Sequence, residues 1–279
     1  MRRSASTWRG ALLLALGLLW LAGCAGRGAV ERLLPPVYEY RSYLVGAGQG
    51  AESSAYVVNA DSSVTFDRQG LRITARPLGD AELNRRYPDV SRKGSFSANP
   101  FTYGNWRDSR LGYTPVRFTV FEIEVFNPVL PKVEFYPEQT SLHTDQGDEY
   151  AYYAINREDS PTNFEDYYTL GRGAGGNDQY RFDQRMGIVR EELYRSDHQV
   201  FKGDSYKGYL VFDPIREGVS TATLKVRNLA LEFDEANHPS KTMDLVFQFD
   251  HRVAKRQLTG SEARRARQRD WILPSPAQR

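Results

Sequence analysis

The chain has 279 residues, with 37 Lys and Arg against 35 Asp and Glu and a net charge of +2. That charge is unevenly placed: residues 1–23 carry three Arg and no acid, residues 254–279 carry seven basic residues against two acids, and residues 24–253 are left at −6. An acidic body of this length speaks for one large domain or two small ones and against nucleic-acid binding by that body. Cys24 is the one cysteine, so no intramolecular disulfide forms and the body must be held by its core.

The chain begins with a basic stretch, Arg2, Arg3 and Arg9, followed by the apolar run Ala11–Ala22. Such a run reads as the core of a signal peptide (residues 1–23) and is too short to span a bilayer comfortably. It ends in Leu21-Ala22-Gly23-Cys24, which resembles the lipobox of bacterial lipoproteins. The resemblance implies recognition of Leu21, Ala22 and Gly23 by lipoprotein signal peptidase and attachment of a diacylglyceryl group at the Cys24 thiol. Two or more acyl chains hold stably, since each buried methylene contributes ~0.8 kcal/mol. In lipoproteins of enteric bacteria an Asp after the cysteine retains the protein at the inner membrane; Ala25 is not Asp, so for a Gram-negative source the resemblance implies an anchor in the outer membrane. Residues 24–36, with Gly26, Gly28, Pro35 and Pro36, read as a short tether.

From Val37 the pattern becomes one of short strands. Val37–Val45 reads as an edge strand, and Ser54–Asn59 and Ser63–Phe66 as two more, so that 37–66 is either part of the body or a small unit of its own. Leu71–Arg76 alternates apolar and polar residues between Gly70 and Pro77. A short helix is expected within Gly79–Tyr87, with Asp80 as N-cap and Pro88 as its stop. Residues 88–115 lack a period but carry Phe96, Phe101, Tyr103, Trp106 and Tyr113. They are read either as an Ω-like loop packed by its own aromatics or as an aromatic surface for a partner.

Val116–Asn127 is the strongest strand, with Phe121, Ile123 and Val125 on one face and Glu122 and Glu124 on the other. Lys132–Tyr136, Thr140–His143 and Tyr150–Ile155 follow. Residues 157–197 read as an insertion in which Phe182, Met186, Val189 and Leu193 recur at helical spacing, predicting one amphipathic helix beside the loop Gly171–Gly176. Strands return at His198–Lys202, Tyr206–Asp213, Ala222–Val226, Leu229–Phe233 and Met243–His251. Residues 254–279 read as a basic tail, weakly helical over Lys255–Arg269 and capped by Ser261. In it Arg264, Arg265, Arg267 and Arg269 are candidate contacts to an anionic surface.

This succession of strands and turns predicts a mainly β fold, an antiparallel sandwich. Three stretches, 70–78, 118–127 ending in Val125-Phe126-Asn127, and Gly208-Tyr209-Leu210-Val211-Phe212, are similar to exported immunoglobulin-like domains of bacterial lipoproteins. For the body, 37–253, the resemblance implies an antiparallel immunoglobulin-like β-sandwich with a short helical insertion.

Motifs for chemistry are scarce. His143, His198, His238 and His251 show no metal-ligand spacing and read as surface or strand-end residues. Neither a Gly-x-Ser-x-Gly elbow nor a phosphate-binding loop is present. Glu122 and Glu124 lie about 7 Å apart along their strand, which fits paired acid–base work and fits a solvated face equally. Asp145, Asp148 and Glu149 share a turn without the EF-hand spacing. No catalytic residue, metal or cofactor is assigned. The expected function is a non-catalytic binding or assembly module of the bacterial envelope, partnered by the membrane and an envelope protein and not by nucleic acid. The alternatives are a subunit of a larger envelope machine and a carboxylate-dependent envelope hydrolase.

Overall fold

Strand alternation sorts the apolar side chains of this chain onto the facing sides of two antiparallel sheets. The computed structural model describes residues 34–48, 54–68, 70–170 and 176–270. The signal segment with Leu21, Ala22 and Gly23, the lipidation residue Cys24, residues 25–33 of the tether, the glycine-rich residues 171–175 and residues 271–279 lie outside the described residues.

One sheet has the order β1 (Val37–Gly46), β12 (Pro239–Leu258), β11 (Thr221–Phe233), β6 (Lys132–Glu134) and β9 (Gln199–Phe201). Two further strands extend it, β7 (Thr140–Thr144) beside β11 and β8 (Glu149–Ala151) beside β7. The other sheet runs β10 (Ser205–Phe212), β5 (Thr119–Phe126), β4 (Leu71–Leu78), β3 (Val64–Arg68) and β2 (Tyr56–Val58). Residues 37–66 are therefore shared between the sheets and are not a unit of their own. Phe121 meets Phe249 at 5.1 Å and Tyr56 meets Phe247 at 5.7 Å across the gap. Ile73, Ile123, Leu224 and Leu245 fill the same core, and full burial of each such side chain is worth about 1.5–3 kcal/mol.

Several expectations are corrected. Ala222–Val226 and Leu229–Phe233 are one strand, β11, bent where Asn228 adopts φ +54° and the register with β12 shifts. The bend divides one edge of β11 between two partners: β7 pairs with 222–226 and β6 with Ala230. The basic tail does not begin at 254, because β12 continues to Leu258 opposite Val37. Among the described residues the insertion holds two helices rather than one, α3 (Phe164–Leu170) and α4 (Gly176–Glu192). The apolar stripe of α4 is nonetheless the expected one, with Met186 and Val189 buried. Leu193, also buried, lies beyond the helix and bridges to Tyr209.

After β4 the chain forms α1 (Asp80–Arg86) and the single turn α2 (Pro88–Ser91). Gly79, not Asp80, is the N-cap of α1, and it caps without a side chain. The aromatic stretch then folds onto itself around the buried Asn99. This side chain donates to Ser91 Oγ at 2.9 Å and accepts from the Phe101 amide at 2.9 Å. The last helix, α5 (Gly260–Asp270), packs on β1 through the buried Ala263 and Ala266.

Candidate functional site

Strand register places three side chains of unlike chemistry in one row. Arg76 on β4 lies opposite Glu122 on β5, and Glu122 lies opposite Tyr209 on β10. Their neighbours Ala75 and Ile123 point into the sandwich and are fully buried, so Arg76 and Glu122 take the outer face of the five-stranded sheet. The chain leaving β4 then turns through Gly79 into α1, whose Glu82 and Arg86 are one helical turn apart and face the row.

The result is a closed ring of alternating charges. Arg76 donates to Glu122 at 2.9 Å and to Glu82 at 3.0 Å; Arg86 donates to Glu122 at 2.8 Å and to Glu82 at 2.8 Å. Each carboxylate has two guanidinium partners and each guanidinium two carboxylates. Arg86 also donates to the Tyr209 hydroxyl, which lies 3.3 Å from that of Tyr87. Burial pushes the Glu122 carboxyl up, but the hydrogen bonds from Arg86 and Arg76 outweigh it and hold the group below the ordinary carboxylate range. Burial, with hydrogen bonds to Tyr209 and Glu192, drives the Tyr87 phenol far above its ordinary value. Glu122 therefore stays ionised near neutral pH, and Tyr87 keeps its proton as a hydrogen-bond donor.

Two members of this ring, Arg86 and Glu122, line a cleft of about 390 Å³ together with Tyr87, Glu191, Glu192, Lys207, Gly208 and Tyr209. Glu191 and Glu192 come from the end of α4, and the two residues after the helix, Leu193 and Tyr194, run against β10 at Gly208. The Tyr194 amide donates to the Tyr209 carbonyl at 3.1 Å there, and a Cβ on Gly208 would lie 2.5 Å from Tyr194 Cα. Only glycine allows so close a crossing of two backbones. Gly208→Ala is expected to cost about 1–3 kcal/mol, the usual range for overpacking, and to displace Glu191 and Glu192 from the cleft. Urea denaturation measures the first effect, and the second appears as loss of any ligand bound through those two acids.

A second cluster lies at the mouth of the sandwich. His251, buried on β12, shares a 2.7 Å hydrogen bond between Nε2 and Ser42 Oγ, and its Nδ1 lies 2.9 Å from the Val219 carbonyl. A carbonyl only accepts, so Nδ1 carries a proton and donates to Val219. Asp80 lines the same crevice, and burial lifts its carboxyl to about 7 against the pull of Arg117. A serine oriented toward a histidine is the start of a nucleophilic site. The free volume here is about 70 Å³, far less than the cleft over Glu122 with its about 390 Å³. We assign the cluster to holding β1, β12 and the 219 segment together. His251 is thus a core residue, not the surface or strand-end histidine expected of it.

The other sequence candidates disperse. Of the five aromatics proposed as a partner surface, Phe101 and Tyr113 are buried, and Tyr103 and Trp106 are half-buried against each other at 5.3 Å. Phe101 packs on Phe164 and Tyr209, and Tyr113 stacks on Tyr40 at 4.3 Å, so neither reaches a partner. Phe96 alone of the five is exposed, and Arg181 sits 5.1 Å from its ring. Glu124 is exposed on the strand surface, away from the fate of Glu122. Asp145 accepts from the Ser220 amide and Asp148 pairs with Arg216, so the acidic turn is a clasp onto the 216–220 segment. Among the described residues no group of three or more His, Cys, Asp and Glu is placed to hold a metal ion, and no described helix is long and apolar enough to cross a membrane. Arg264 and Arg265 are exposed on α5, Arg267 donates to the Pro35 carbonyl at 2.8 Å, and Arg269 follows in the last turn.

Sequence reading reached Glu122 but not its partners. Arg76, Glu82, Arg86 and Tyr209 carry no local signal, because what unites them is cross-strand register.

No protein-family model matches the chain, and no curated protein does. Among solved structures it is similar to the yjhA protein from Bacillus subtilis, at 10% identity and a TM-score of 0.32, over 65% of this chain and 93% of that one. A likeness at that score supports no inference about function.

Proposed function

We propose that this chain is a lipid-anchored lipoprotein of the bacterial envelope, placed in the outer membrane, whose body is a non-catalytic binding or assembly module. We read its sandwich as immunoglobulin-like, on the strand motifs quoted above. The observation that carries the binding reading is the cleft in which Arg86 and Glu122 of the ring meet Tyr87, Tyr209, Glu191, Glu192 and Lys207. It offers fixed charges of both signs and tyrosine hydroxyls in a rigid frame, and preorganised polar groups of that kind suit recognition. A general acid, by contrast, must hold a proton near the working pH, and Glu122 is kept ionised by two guanidinium groups. The partner this chemistry fits is an envelope protein that brings both a cationic side chain for Glu191 and Glu192 and an acidic one for Lys207.

A photo-cross-linking residue in place of Lys207, in cells, tests the reading. An envelope protein is expected to be captured and to be lost when Glu191 and Glu192 are changed to Lys. Recovery of the chain alone would remove the binding reading. Equal palmitate uptake by wild type and Cys24→Ala would remove the anchor.

A further inference from the structure

We infer that α5 and the adjoining start of β1 form a membrane-contacting face that binds anionic phospholipid headgroups. The inference rests on the lipid-anchored reading and adds to it which side of the body meets the bilayer. Three observations carry it. First, α5 is fastened where the tether enters the body. Arg267 donates to the Pro35 carbonyl at 2.8 Å, Arg256 ties the helix start through Glu262 at 2.9 Å, and Ala263 and Ala266 are buried beneath. Second, the chain from Cys24 to Leu34 is ten residues, and a fully extended chain spans at most ~3.3–3.6 Å per residue. An acylated Cys24 therefore keeps this end of the body within roughly 35 Å of the bilayer. Third, the surface has the composition of an interfacial one. Arg264 and Arg265 are exposed on α5, and Leu34 and Leu111 are each 42% exposed at the same end. The β1 amide of Tyr38 bonds the Gly112 carbonyl at 2.9 Å, which puts Leu111 beside the tether exit. Exposed arginines and leucines at one end of the body match the headgroup and upper acyl region of a bilayer. The charge accords with this occupant, since the bulk of the body is acidic and is repelled by an anionic surface while the tail is drawn to it.

The test uses the full, acylated protein with Ser261→Cys labelled by an environment-sensitive dye and incorporated in vesicles. One set is phosphatidylcholine alone; the other carries about one-third phosphatidylglycerol; both contain brominated lipid as quencher. Quenching is expected on the anionic vesicles and is expected to weaken with salt, because the attraction falls off within a Debye length. Each arginine near such a surface contributes about a fivefold gain, so Arg264→Glu with Arg265→Glu is expected to lower the docked fraction at least tenfold without moving the thermal melt of the sheets. Protein that floats with the vesicles but is unquenched, or is quenched equally on both lipids, overturns the docking and leaves the anchor standing. Protein that does not float, or that floats as well after Cys24→Ala, overturns the anchor and the docking with it.

Discussion

Glu122→Ala is expected to lower the unfolding free energy at pH 7 by about 3 kcal/mol, within the range of about 3–5 kcal/mol for breaking a buried ion pair by removal of one partner. The carboxylate side chain is only 15% exposed and accepts from both Arg76 and Arg86. Without it the two guanidinium groups share Glu82 alone, leaving a net positive charge half-buried under α1. The low end of the range applies because that one acid remains. Glu122→Gln keeps the volume and an acceptor and is expected to cost less. The pH dependence has a definite sign. The folded-state carboxyl lies below its ordinary value of 4.5, so its stabilisation is fully present above the unfolded value and is lost as pH falls through the folded one. The stability difference between wild type and Glu122→Ala in urea should therefore be full at pH 7 and shrink below about pH 4.5. A difference that stays constant to pH 3 would mean that the ring contributes nothing through its charge.

Asp80→Asn is expected to do the opposite, stabilising the protein at alkaline pH by up to about 4 kcal/mol. Burial in the crevice beside Ser42 and His251 raises this carboxyl from 3.8 to about 7, and each unit corresponds to ~1.4 kcal/mol. The folded state then binds the proton more tightly than the unfolded chain does. Stability consequently falls as pH rises from about 4 to about 7, and the whole cost is present above that window. Asparagine is nearly isosteric and carries no charge, so it removes the cost at pH 8 and changes little at pH 3.5. Urea midpoints of the two proteins across this range decide the matter. Parallel profiles would show that Asp80 binds its proton equally in the folded and unfolded states.

The two substitutions separate the acidic groups by environment rather than by type. Both are carboxylates in or next to the five-stranded sheet. One has two fixed cations at hydrogen-bond distance; the other faces a small crevice in which the pull of Arg117 does not offset the loss of water. Nothing in the stretches around Glu122 and Asp80 announces that difference.

What the chain determines by itself is whatever repeats over a few residues. Alternation in Leu71–Arg76 and Thr119–Phe126 sorts each strand into a core face and an outer face, and β4 and β5 follow it closely. The spacing of Met186 and Val189 defines the buried side of α4 in the same local way. Tertiary structure alone decided the rest, because it turns on pairings between distant residues. Arg76 and Glu122 are 46 residues apart and Arg86 and Tyr209 are 123 apart, and a shift of register by one residue would scatter them to opposite faces. Burial of Phe101, Tyr113 and His251 likewise follows from what the folded chain lays over them. Local periodicity tells which side of an element is apolar; register and packing tell which polar groups meet, and the cleft is made of those meetings.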